Sequence, residues 1–452
     1  MQKLTAISPI DGRYQNKVKD LSRYFSEMAL MHYRVLVEVE YFIALSLEKK
    51  VAELPPLSLE DQKKLRSFYK NFSIKDTQEI KDIETTTNHD VKAVEYFFRN
   101  KIKNTPLERY SEFIHFAITS EDVNNLAYSL MWKDGINRVY FKSAVDVFHQ
   151  LKSFAIEYRN QPMLSLTHGQ SATPTTVGKE FTVFASRLKR QLVQLKHHKL
   201  LGKFSGATGT WSAQHLVYPN VDWIEFSKNF VESLGLKLNT ITVQIEPHDS
   251  LAESYDVLKR INVILTDFCR DAWMYISRGI FAQKKKESEV GSSTMPHKIN
   301  PIQFENAEGN LGLANVYLSH LAEKLPISRM QRDLSDSTVL RNQGVALAHS
   351  LLACKSILSG LSRLTINKIE LEKELNENPE VLAEAVQTIL RKHGIPNAYE
   401  KLKELTHGQK MTLETIREFV NELDIPEDDK QKLLNLRPES YTGLANRIVD
   451  LL

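Results

Sequence analysis

Apolar residues repeat at helical spacing over long stretches of this chain. Within residues 21–47, Leu21, Phe25, Met28 and Val35 fall on one face of a helix. The 452 residues include 17 glycines and 15 prolines, about 7% together, whereas the average for the pair is about 12%. So few chain-breakers predict long helices that pack side by side as a bundle. Further helices, two of them opened by prolines, are predicted over 120–158, 174–201, 247–283, 302–325 and 335–362.

A change in helix length suggests how the chain is divided. Beyond about residue 365 the long patterns give way to shorter helices separated by proline and glycine, and a turn at 104–106 precedes the central patterns. Strand signals are sparse, with 240–245 as a short candidate. We therefore expect an all-α fold of three domains: an N-terminal helical domain at 1–110, a central long-helix bundle at 111–365 and a C-terminal helical domain at 366–452.

Composition narrows the functional class. The net charge is only +3, whereas a nucleic-acid binder usually shows a strongly basic surface. The two cysteines, Cys269 and Cys354, have no metal-type spacing and are typical of buried thiols in a reducing compartment. No apolar run suggests a secretory signal, and no uncharged apolar stretch approaches the roughly 18 residues of a membrane span. We expect a soluble cytoplasmic protein without a nucleic-acid or membrane partner and without a bound metal.

The polar segment 291–301, GSSTMPHKINP, is the strongest interruption of the helical pattern. One glycine and two prolines predict a loop, in which small hydroxyl residues stay polar and mobile. Pro301 would begin a helix whose free N–H groups could face an anion. An ordinary interhelical loop is the alternative.

Two other segments place polar side chains before a predicted helix. His168 and Gly169 precede the helix expected from Pro174, where a histidine is often a cap or a core residue. Ser120 is followed by two acidic residues, which is typical of an N-cap and the first turn of a helix. A plain capping role is the alternative at both places.

Three more segments carry cationic or polar groups. Residues 85–91 collect polar side chains before a helix, with Asp90 as a plain N-cap as the alternative. Residues 328–341 place three arginines around a helix start. Arginine suits bidentate binding of carboxylate or phosphate, although a surface salt-bridge cluster would have the same composition. Residues 8–14 form a tight turn that presents an arginine and a tyrosine.

These segments resemble a known family. The loop GSSTMPHKINP resembles the signature of the fumarase/aspartase superfamily, and THGQSATP and TSEDVNN resemble two further regions of it. Within that superfamily, SPIDGRY, TTNHDVKAVEYF, QIEPHD and SRMQRDLSDSTVLRN resemble the bacterial long-form adenylosuccinate lyase family. The resemblance extends from the first ten residues to at least residue 410.

The resemblance implies a carbon–nitrogen lyase of purine biosynthesis. Such an enzyme eliminates fumarate from adenylosuccinate, giving AMP, and from succinylaminoimidazole carboxamide ribotide (SAICAR), giving the imidazole carboxamide ribotide AICAR. It also implies an all-α homotetramer whose core is built from the central helices and whose active sites are each shared among three subunits. No metal or organic cofactor is implied.

The family's catalytic residues can be carried over residue by residue. His168 matches the general acid, and Glu305 matches the glutamate that orients it and raises its pKa. Ser292 matches the base, although Ser293 beside it leaves the two serines interchangeable. Lys298 and the helix start after Pro301 would stabilise the oxyanion character that a serine base needs.

The remaining matches imply contacts to a very acidic substrate. Two carboxylates and a phosphate carry about four negative charges, so we expect a local excess of positive charge and hydrogen-bond donors. The matching substrate-binding positions are Arg13, Tyr14, Asn88, His89, Asp90, Thr119, Ser120, Gln244, Ser293, Asn300, Arg332, Ser337, Thr338 and Arg341.

The chain departs from the family pattern at two positions. Ser171 stands where the family usually has proline, and Trp211 stands where a smaller aromatic residue is expected. Argininosuccinate lyase, fumarase and aspartase are the alternative enzymes, and an inactive helical scaffold with this fold is the alternative of another class. The four retained catalytic candidates, His168, Ser292, Lys298 and Glu305, speak against the scaffold.

Overall fold

The computed structural model describes residues 3–284, 295, 298–400, 403 and 411–452. The chain is 67% helical and 5% strand, which confirms the all-α fold class. The α-helices are Gln15–Val18, Ser22–Phe25, Glu27–Leu47, Leu59–Lys70, Ile74–Thr87, Asp90–Ile102, Ser120–Gly135, Phe141–Glu157, Val177–His197, Ser212–Val217, Trp223–Ser233, Asp249–Ser277, Ile302–Lys324, Ser335–Leu340, Gln343–Leu361, Lys368–Glu377, Ala383–Lys392, Leu413–Glu422, Glu427–Leu434 and Ala445–Ile448.

Short elements complete the described chain. A π-helical turn at Ile136–Tyr140 joins two α-helices. The 3-10 helices are Lys3–Thr5, Lys19–Leu21, Glu108–Phe113, Pro379–Leu382, Pro438–Ser440 and Val449–Leu451. The described strands form two-stranded sheets: Pro162–Thr167 with Gln170–Thr176 (antiparallel), Leu201–Gly202 with Lys237–Leu238 (parallel), and Phe281–Gln283 with Leu364–Ile366 (antiparallel).

The chain divides into two compact units, each assembled from several segments. The first unit comprises Met1–Ala144, Gln191–Val263 and Gly309–Lys355. The second comprises Val145–Arg190, Ile264–Glu308 and Ser356–Leu452. The division into three consecutive domains stays a prediction.

Close packing around Phe25 characterises the first unit. Helix Glu27–Leu47 begins at Ser26, whose hydroxyl accepts a hydrogen bond from the Ala29 N–H at 3.1 Å. A Cβ on Gly135 would lie 2.4 Å from the Phe25 ring, and one on Gly344 would lie 2.3 Å from the Phe25 Cβ. Glycine is therefore required at both positions for the neighbouring helices to approach this ring.

An aromatic cluster forms part of the core of the second unit. The rings of Phe154 and Phe181 stack with centroids 4.3 Å apart, and Phe268 meets Phe181 edge-on at 5.7 Å. Phe304 meets Phe268 edge-on at 5.9 Å. These rings join four long helices through apolar contacts of defined geometry.

Several helix predictions are confirmed and others are wrong. The pattern over 120–158 is helical throughout, and the one over 302–325 matches Ile302–Lys324. The third predicted helix does not begin at Pro174, because that proline lies in an edge strand, where a missing N–H is tolerated. The helix expected to reach 283 ends at Ser277, because Phe281–Gln283 pairs as a strand. The candidate strand at 240–245 is irregular.

One helical stretch meets the length and composition of a membrane span when up to two charged residues are allowed. Ser335–Leu361 has a mean hydropathy of 1.4 over its most apolar window, and 72% of that window is buried inside the protein. The core helix of a soluble protein has the same properties, because it too is surrounded by apolar atoms.

Candidate active site

The turn before helix Asp90–Ile102 holds three of the predicted binding residues. Asn88 adopts a left-handed conformation with φ of 48° at the end of the preceding helix. His89 is extended and caps the next helix, since its Nδ1 accepts a hydrogen bond from the backbone N–H of Lys92 at 3.1 Å. Asp90 is therefore the first helical residue and not the N-cap.

Asp90 lies between two arginines. Arg34 Nη2 donates to Asp90 Oδ2 at 2.6 Å, and Arg341 Nη2 lies 3.6 Å from the same oxygen. Burial alone would raise the pKa of Asp90, but Arg34 and Arg341 outweigh it and lower that pKa. Arg34 also donates to Asn124 Oδ1 at 2.8 Å, and Arg341 donates to Glu27 Oε2 at 2.8 Å.

The helix start at Ser120 is fixed by a buried ion pair. Thr119 is extended and precedes the helix, so Ser120 is its first residue and not the predicted N-cap. The Thr119 N–H donates to Asp122 Oδ2 at 2.8 Å. Asp122 is fully buried with Lys203, whose Nζ lies 2.7 Å from Asp122 Oδ1, and it also accepts from the Ser205 N–H at 2.9 Å. Asp122 thus fixes the backbone on which Thr119 and Ser120 stand.

Arg332 is held by a buried glutamate and a glutamine. Its side chain is 16% exposed, and its Nη1 lies 3.0 Å from Glu121 Oε2 and 3.4 Å from Gln244 Oε1. This arrangement leaves part of the guanidinium accessible to a ligand. The helix that follows, Ser335–Leu340, carries two further predicted residues, the half-buried Ser337 and the exposed Thr338.

One helix brings these contacts together. Glu121 and Asn124 lie three positions apart on helix Ser120–Gly135, so they project from the same face toward Arg332 and Arg34 respectively. Arg332 pairs with Glu121, and Arg34 pairs with Asp90. The positive charge of these two arginines is therefore largely neutralised within the chain. The predicted pair Arg13 and Tyr14 lies on a separate turn, with the guanidinium carbon 5.8 Å from the centre of the tyrosine ring.

The second unit presents His168 at the tip of a hairpin. Thr167 pairs with Gln170, so His168 and Gly169 form a two-residue turn, with φ of 54° and 75°. Two left-handed residues are what such a turn between antiparallel strands requires. The prediction that His168 precedes a helix is wrong, and the histidine is instead exposed at the end of a strand pair. Ser171, at the position where proline was expected, donates to Asn378 Oδ1 at 2.7 Å.

Glu305 and His168 are not hydrogen-bonded to each other within one chain. Glu305 Oε1 accepts a hydrogen bond from Trp273 Nε1 at 3.1 Å. The predicted pairing of the two residues therefore stays a prediction for an assembled protein. Lys298 is exposed and Asn300 is half-buried, both just before helix Ile302–Lys324.

The predicted base lies outside the described residues. Ser292 and Ser293 fall in the segment 285–294, and their roles stay predictions.

Two contributors to this region were not predicted from the sequence. Arg34 is 1% exposed, and its only signal was a charged residue inside the apolar pattern of 21–47. His248, in the segment QIEPHD, is also 1% exposed and gave no signal of its own beyond that segment. Glu121, His248 and Asp336 have metal-ligand atoms that all lie within 4.8 Å of one another.

An open cavity of about 880 Å³ also lies in the first unit. Its lining mixes acidic, basic and apolar side chains and contains none of the predicted site residues, so it does not correspond to the predicted site. Among the lining residues are Tyr33, Glu40, Arg66, Asp134, Arg138 and Phe226.

Known proteins match this chain over its whole length. The family model for the lyase domain matches residues 12–317, and the model for the adenylosuccinate lyase C-terminal region matches residues 328–442. An adenylosuccinate lyase of Legionella pneumophila (strain Corby) is 52% identical over 447 residues, covering 99% of this chain and 98% of the relative. The adenylosuccinate lyase of Escherichia coli (strain K12) is 49% identical over 454 residues, covering 100% and 99%.

Solved structures show the same fold at low sequence identity. A fumarate lyase from Mesorhizobium sp. BNC1 superposes with a TM-score of 0.76 at 17% identity, covering 96% of this chain and 97% of the other. The 3-carboxy-cis,cis-muconate lactonizing enzyme from Pseudomonas putida gives a TM-score of 0.74 at 19% identity, covering 96% of each chain. Taken with the full-length relatives, these matches establish that the chain belongs to the adenylosuccinate lyase family of the fumarase/aspartase superfamily.

Proposed function

We propose that the chain is a carbon–nitrogen lyase that eliminates fumarate from adenylosuccinate, giving AMP, and from SAICAR, giving AICAR, in purine biosynthesis. The observation that carries this proposal is the roughly 50% identity to adenylosuccinate lyases along the entire chain. A lyase of this kind needs no redox chemistry, and we propose that it works without a metal or organic cofactor.

The first unit supplies a suitable surface for an anionic substrate. Arg332 and Arg341 can form bidentate contacts with carboxylate or phosphate oxygens. Thr119 and Ser120 stand at the N-terminus of helix Ser120–Gly135, where free N–H groups favour a carboxylate. Asn88, His89 and Asp90 add donors and acceptors on the neighbouring turn.

The second unit supplies the proton chemistry. His168, exposed at the tip of its hairpin, protonates the departing nitrogen as the carbon–nitrogen bond breaks. Ser292 removes the proton next to the carboxylate, and Lys298 and the helix after Pro301 stabilise the negative charge that develops. Glu305 orients His168 in the assembled protein, while Ser293 and Asn300 bind substrate.

We infer that the protein is a homotetramer with shared active sites. Leu313, Val316 and Tyr317 are 51%, 70% and 37% exposed, and their spacing places them on one face of helix Ile302–Lys324. An exposed apolar helix face of this kind indicates a helix–helix interface. Cys269 and Cys354 are both buried and are not joined by a disulfide, which fits a reducing cytoplasmic environment.

The activity is tested by mixing the purified protein with adenylosuccinate and following the absorbance change as AMP and fumarate form. Efficient turnover is expected, and the His168→Ala variant should lose at least about 100-fold in kcat, as is typical when a general acid is removed. Turnover of argininosuccinate, malate or aspartate in place of adenylosuccinate would identify another lyase of the superfamily. No turnover of any of these substrates would favour the inactive scaffold.

A further inference from the structure

A cluster of three buried residues in the first unit carries polar atoms that have no hydrogen-bond partner among the described residues. These atoms are Glu121 Oε1, His248 Nε2 and Asp336 Oδ2. The three residues are 2%, 1% and 4% exposed. His248 Nε2 and Asp336 Oδ2 lie 3.7 Å apart, which is too long for a hydrogen bond. Buried, unpaired polar atoms are costly, so their presence in one cluster calls for an explanation.

The surrounding contacts fix each group in place. His248 has a left-handed backbone with φ of 65°, and its N–H donates to Glu246 Oε2 at 2.8 Å. Asp336 Oδ1 accepts from the Ser337 N–H at 2.6 Å, so only its Oδ2 faces the cluster. Glu121 Oε2 is bound to Arg332, which leaves Glu121 Oε1 without a partner among the described residues. Strained backbone held by such contacts is common at functional sites.

The charges in this cluster do not balance without an added proton. The charged and titratable groups that face Glu121 are Arg332, Asp336, His248 and Lys203. Lys203 is already neutralised by Asp122 at 2.7 Å. Two ionised carboxylates against one arginine then leave one buried negative charge unless the cluster also holds a proton. A single proton shared within the cluster removes that charge.

The acidities indicate where the proton is held. Burial raises the pKa of Glu121 to about 7, and the charge of Asp336 adds to this effect, whereas Arg332, His248 and Lys203 oppose it. Burial would also raise the pKa of Asp336, but interaction with His248 and Arg332 lowers it overall. Glu121 is therefore the carboxylate that changes protonation near neutral pH, while Asp336 stays ionised.

A metal ion would fit this cluster less well than a proton. The Arg332 guanidinium lies 3.0 Å from Glu121 Oε2, so a divalent cation between the three residues would be close to a fixed positive charge. The buried charge that must be compensated is a single negative charge, which one proton neutralises and a divalent cation would exceed.

We propose that Glu121, His248 and Asp336 form a buried proton-holding cluster that takes up a proton when an anion binds to Arg332. The inference rests on the substrate-binding role of Arg332 in the proposed function. Ionised Glu121 competes with an incoming anion for the same guanidinium, and the anion in turn disfavours the negative charge on Glu121. By linkage, binding and protonation therefore strengthen each other, and Glu121 acts as a positioning residue for Arg332.

The first test measures proton uptake by calorimetry in buffers of different ionisation enthalpy. Adenylosuccinate is titrated into His168→Ala protein, in which turnover should be slowed at least about 100-fold, with and without Glu121→Gln. At pH 7 we expect uptake of about half a proton, because Glu121 is then about half ionised. Affinity should fall about tenfold between pH 6 and pH 8. Glu121→Gln should remove this proton uptake and this fall in affinity, and should leave only the pH dependence that the second ionisation of the substrate phosphate, with a pKa of about 6, contributes.

Glu95→Gln in the same background is the matched control. Glu95 is also a buried glutamate paired with an arginine, with its Oε1 3.1 Å from Arg99 Nε. Glu95→Gln should leave both the proton uptake and the pH dependence of the affinity as they are in the parent protein. Uptake that persists in Glu121→Gln, with affinity lowered equally at all pH values, would mean that Glu121 is only a structural tether, and would overturn the proposal.

Two further variants test the cluster even if Glu121→Gln folds poorly. Asp336→Asn removes a charge that raises the pKa of Glu121, so the midpoint of the pH dependence should move to lower pH. His248→Gln removes a group that lowers it, so the midpoint should move to higher pH. A merely structural role would not shift the midpoint in opposite directions. Shifts in the same direction, or stoichiometric metal in the purified protein, would contradict the proposal.

A parallel titration with sulfate separates this inference from the proposed function. Sulfate has no titrating group near pH 7 and binds arginine whatever the natural substrate is. If adenylosuccinate does not bind but sulfate binding takes up a proton through Glu121, the proposed function is wrong and the cluster stands. If adenylosuccinate is turned over but neither anion is linked to Glu121, the cluster proposal is wrong and the function stands.

Discussion

At the scale of single residues, the buried arginine Arg34 organises the turn that carries Asn88, His89 and Asp90. Its guanidinium bonds both Asp90 and Asn124 while remaining 1% exposed. Sequence patterns cannot reveal this role, because the partners lie 56 and 90 positions away along the chain.

Replacing Arg34 with methionine should destabilise the fold. We expect the free energy of unfolding to fall by about 2 kcal/mol, less than for fully buried pairs because the Asp90 side chain is 29% exposed. Urea unfolding followed by circular dichroism at one protein concentration measures this change. Arg138→Met is the control, because the Arg138 side chain is 67% exposed and its Nε lies 3.6 Å from Asp134 Oδ1, beyond hydrogen-bond distance. This variant should change the free energy of unfolding by less than about 0.5 kcal/mol.

The pH dependence of the free energy of unfolding provides a second test of the Arg34–Asp90 pair. The pKa of Asp90 is lowered in the fold, so its contribution is present above the pKa of the unfolded chain and is lost as the pH falls through the folded value. Arg34→Met should therefore lose less stability on acidification than the parent does. An equal or greater loss would show that Arg34 is not the group that lowers this pKa.

Motif matching proposed the candidate residues, and the structure corrects the local geometry of several of them. The predicted N-caps Ser120 and Asp90 are each one position too late, because Thr119 and His89 are the extended residues that precede the helices. Residue type favours serine and aspartate as caps. The tertiary contacts of Asp122 with Lys203 and of Asp90 with Arg34 select the neighbouring residue instead.

At the scale of elements, the long helices were predictable and the hairpin was not. Apolar spacing alone located the helices over 120–158 and 302–325, since such long repeats have few alternatives. The strands beside His168 contain serine, threonine and proline without clear alternation, and their pairing depends on two left-handed residues in the turn. His168 is thus placed by a hairpin that no local periodicity indicated.

The contact between Phe25 and helix Gln343–Leu361 is the sharpest packing test at this scale. A Cβ on Gly344 would lie 2.3 Å from the Phe25 Cβ, which is tied to the backbone and cannot move aside. Gly344→Ala should therefore destabilise the protein by about 1–3 kcal/mol through overpacking, even though alanine favours helices by about 1 kcal/mol.

A double variant identifies the cause of that loss. In a Phe25→Gly background both the ring and the Cβ at position 25 are absent, and Gly344→Ala should then cost much less in thermal or urea unfolding. If the cost of Gly344→Ala is the same in both backgrounds, contact with Phe25 is not its origin.

At the scale of the whole molecule, the predicted site residues are divided between two compact units. Arg332 and Arg341 belong to the first unit, whereas His168 and Lys298 belong to the second. Sequence motifs could propose these residues as one site. Within a single chain, however, Glu305 and His168 form no hydrogen bond with each other. The tetramer that we propose would complete this site is not indicated by any local pattern in the sequence.

Mixing two inactive variants tests the proposed shared sites. His168→Ala and Arg341→Ala proteins should each be nearly inactive, and co-refolding them in equal amounts should restore about a quarter of the wild-type activity, as random hybrids of a symmetric oligomer would give. Light scattering should show a tetramer in every sample. Tetramers that regain no activity would place both residues of each site in the same subunit.

The positions of the borders between the two units affect how recombination and proteolysis can divide this protein. Each border falls inside a helix: Phe141–Glu157, Val177–His197, Asp249–Ser277, Ile302–Lys324 or Gln343–Leu361. Neither unit could therefore be exchanged intact between genes by recombination, because any exchange at a border would divide a helix between two sequences. A protease that nicks the surface loops would likewise leave fragments that no longer correspond to either unit.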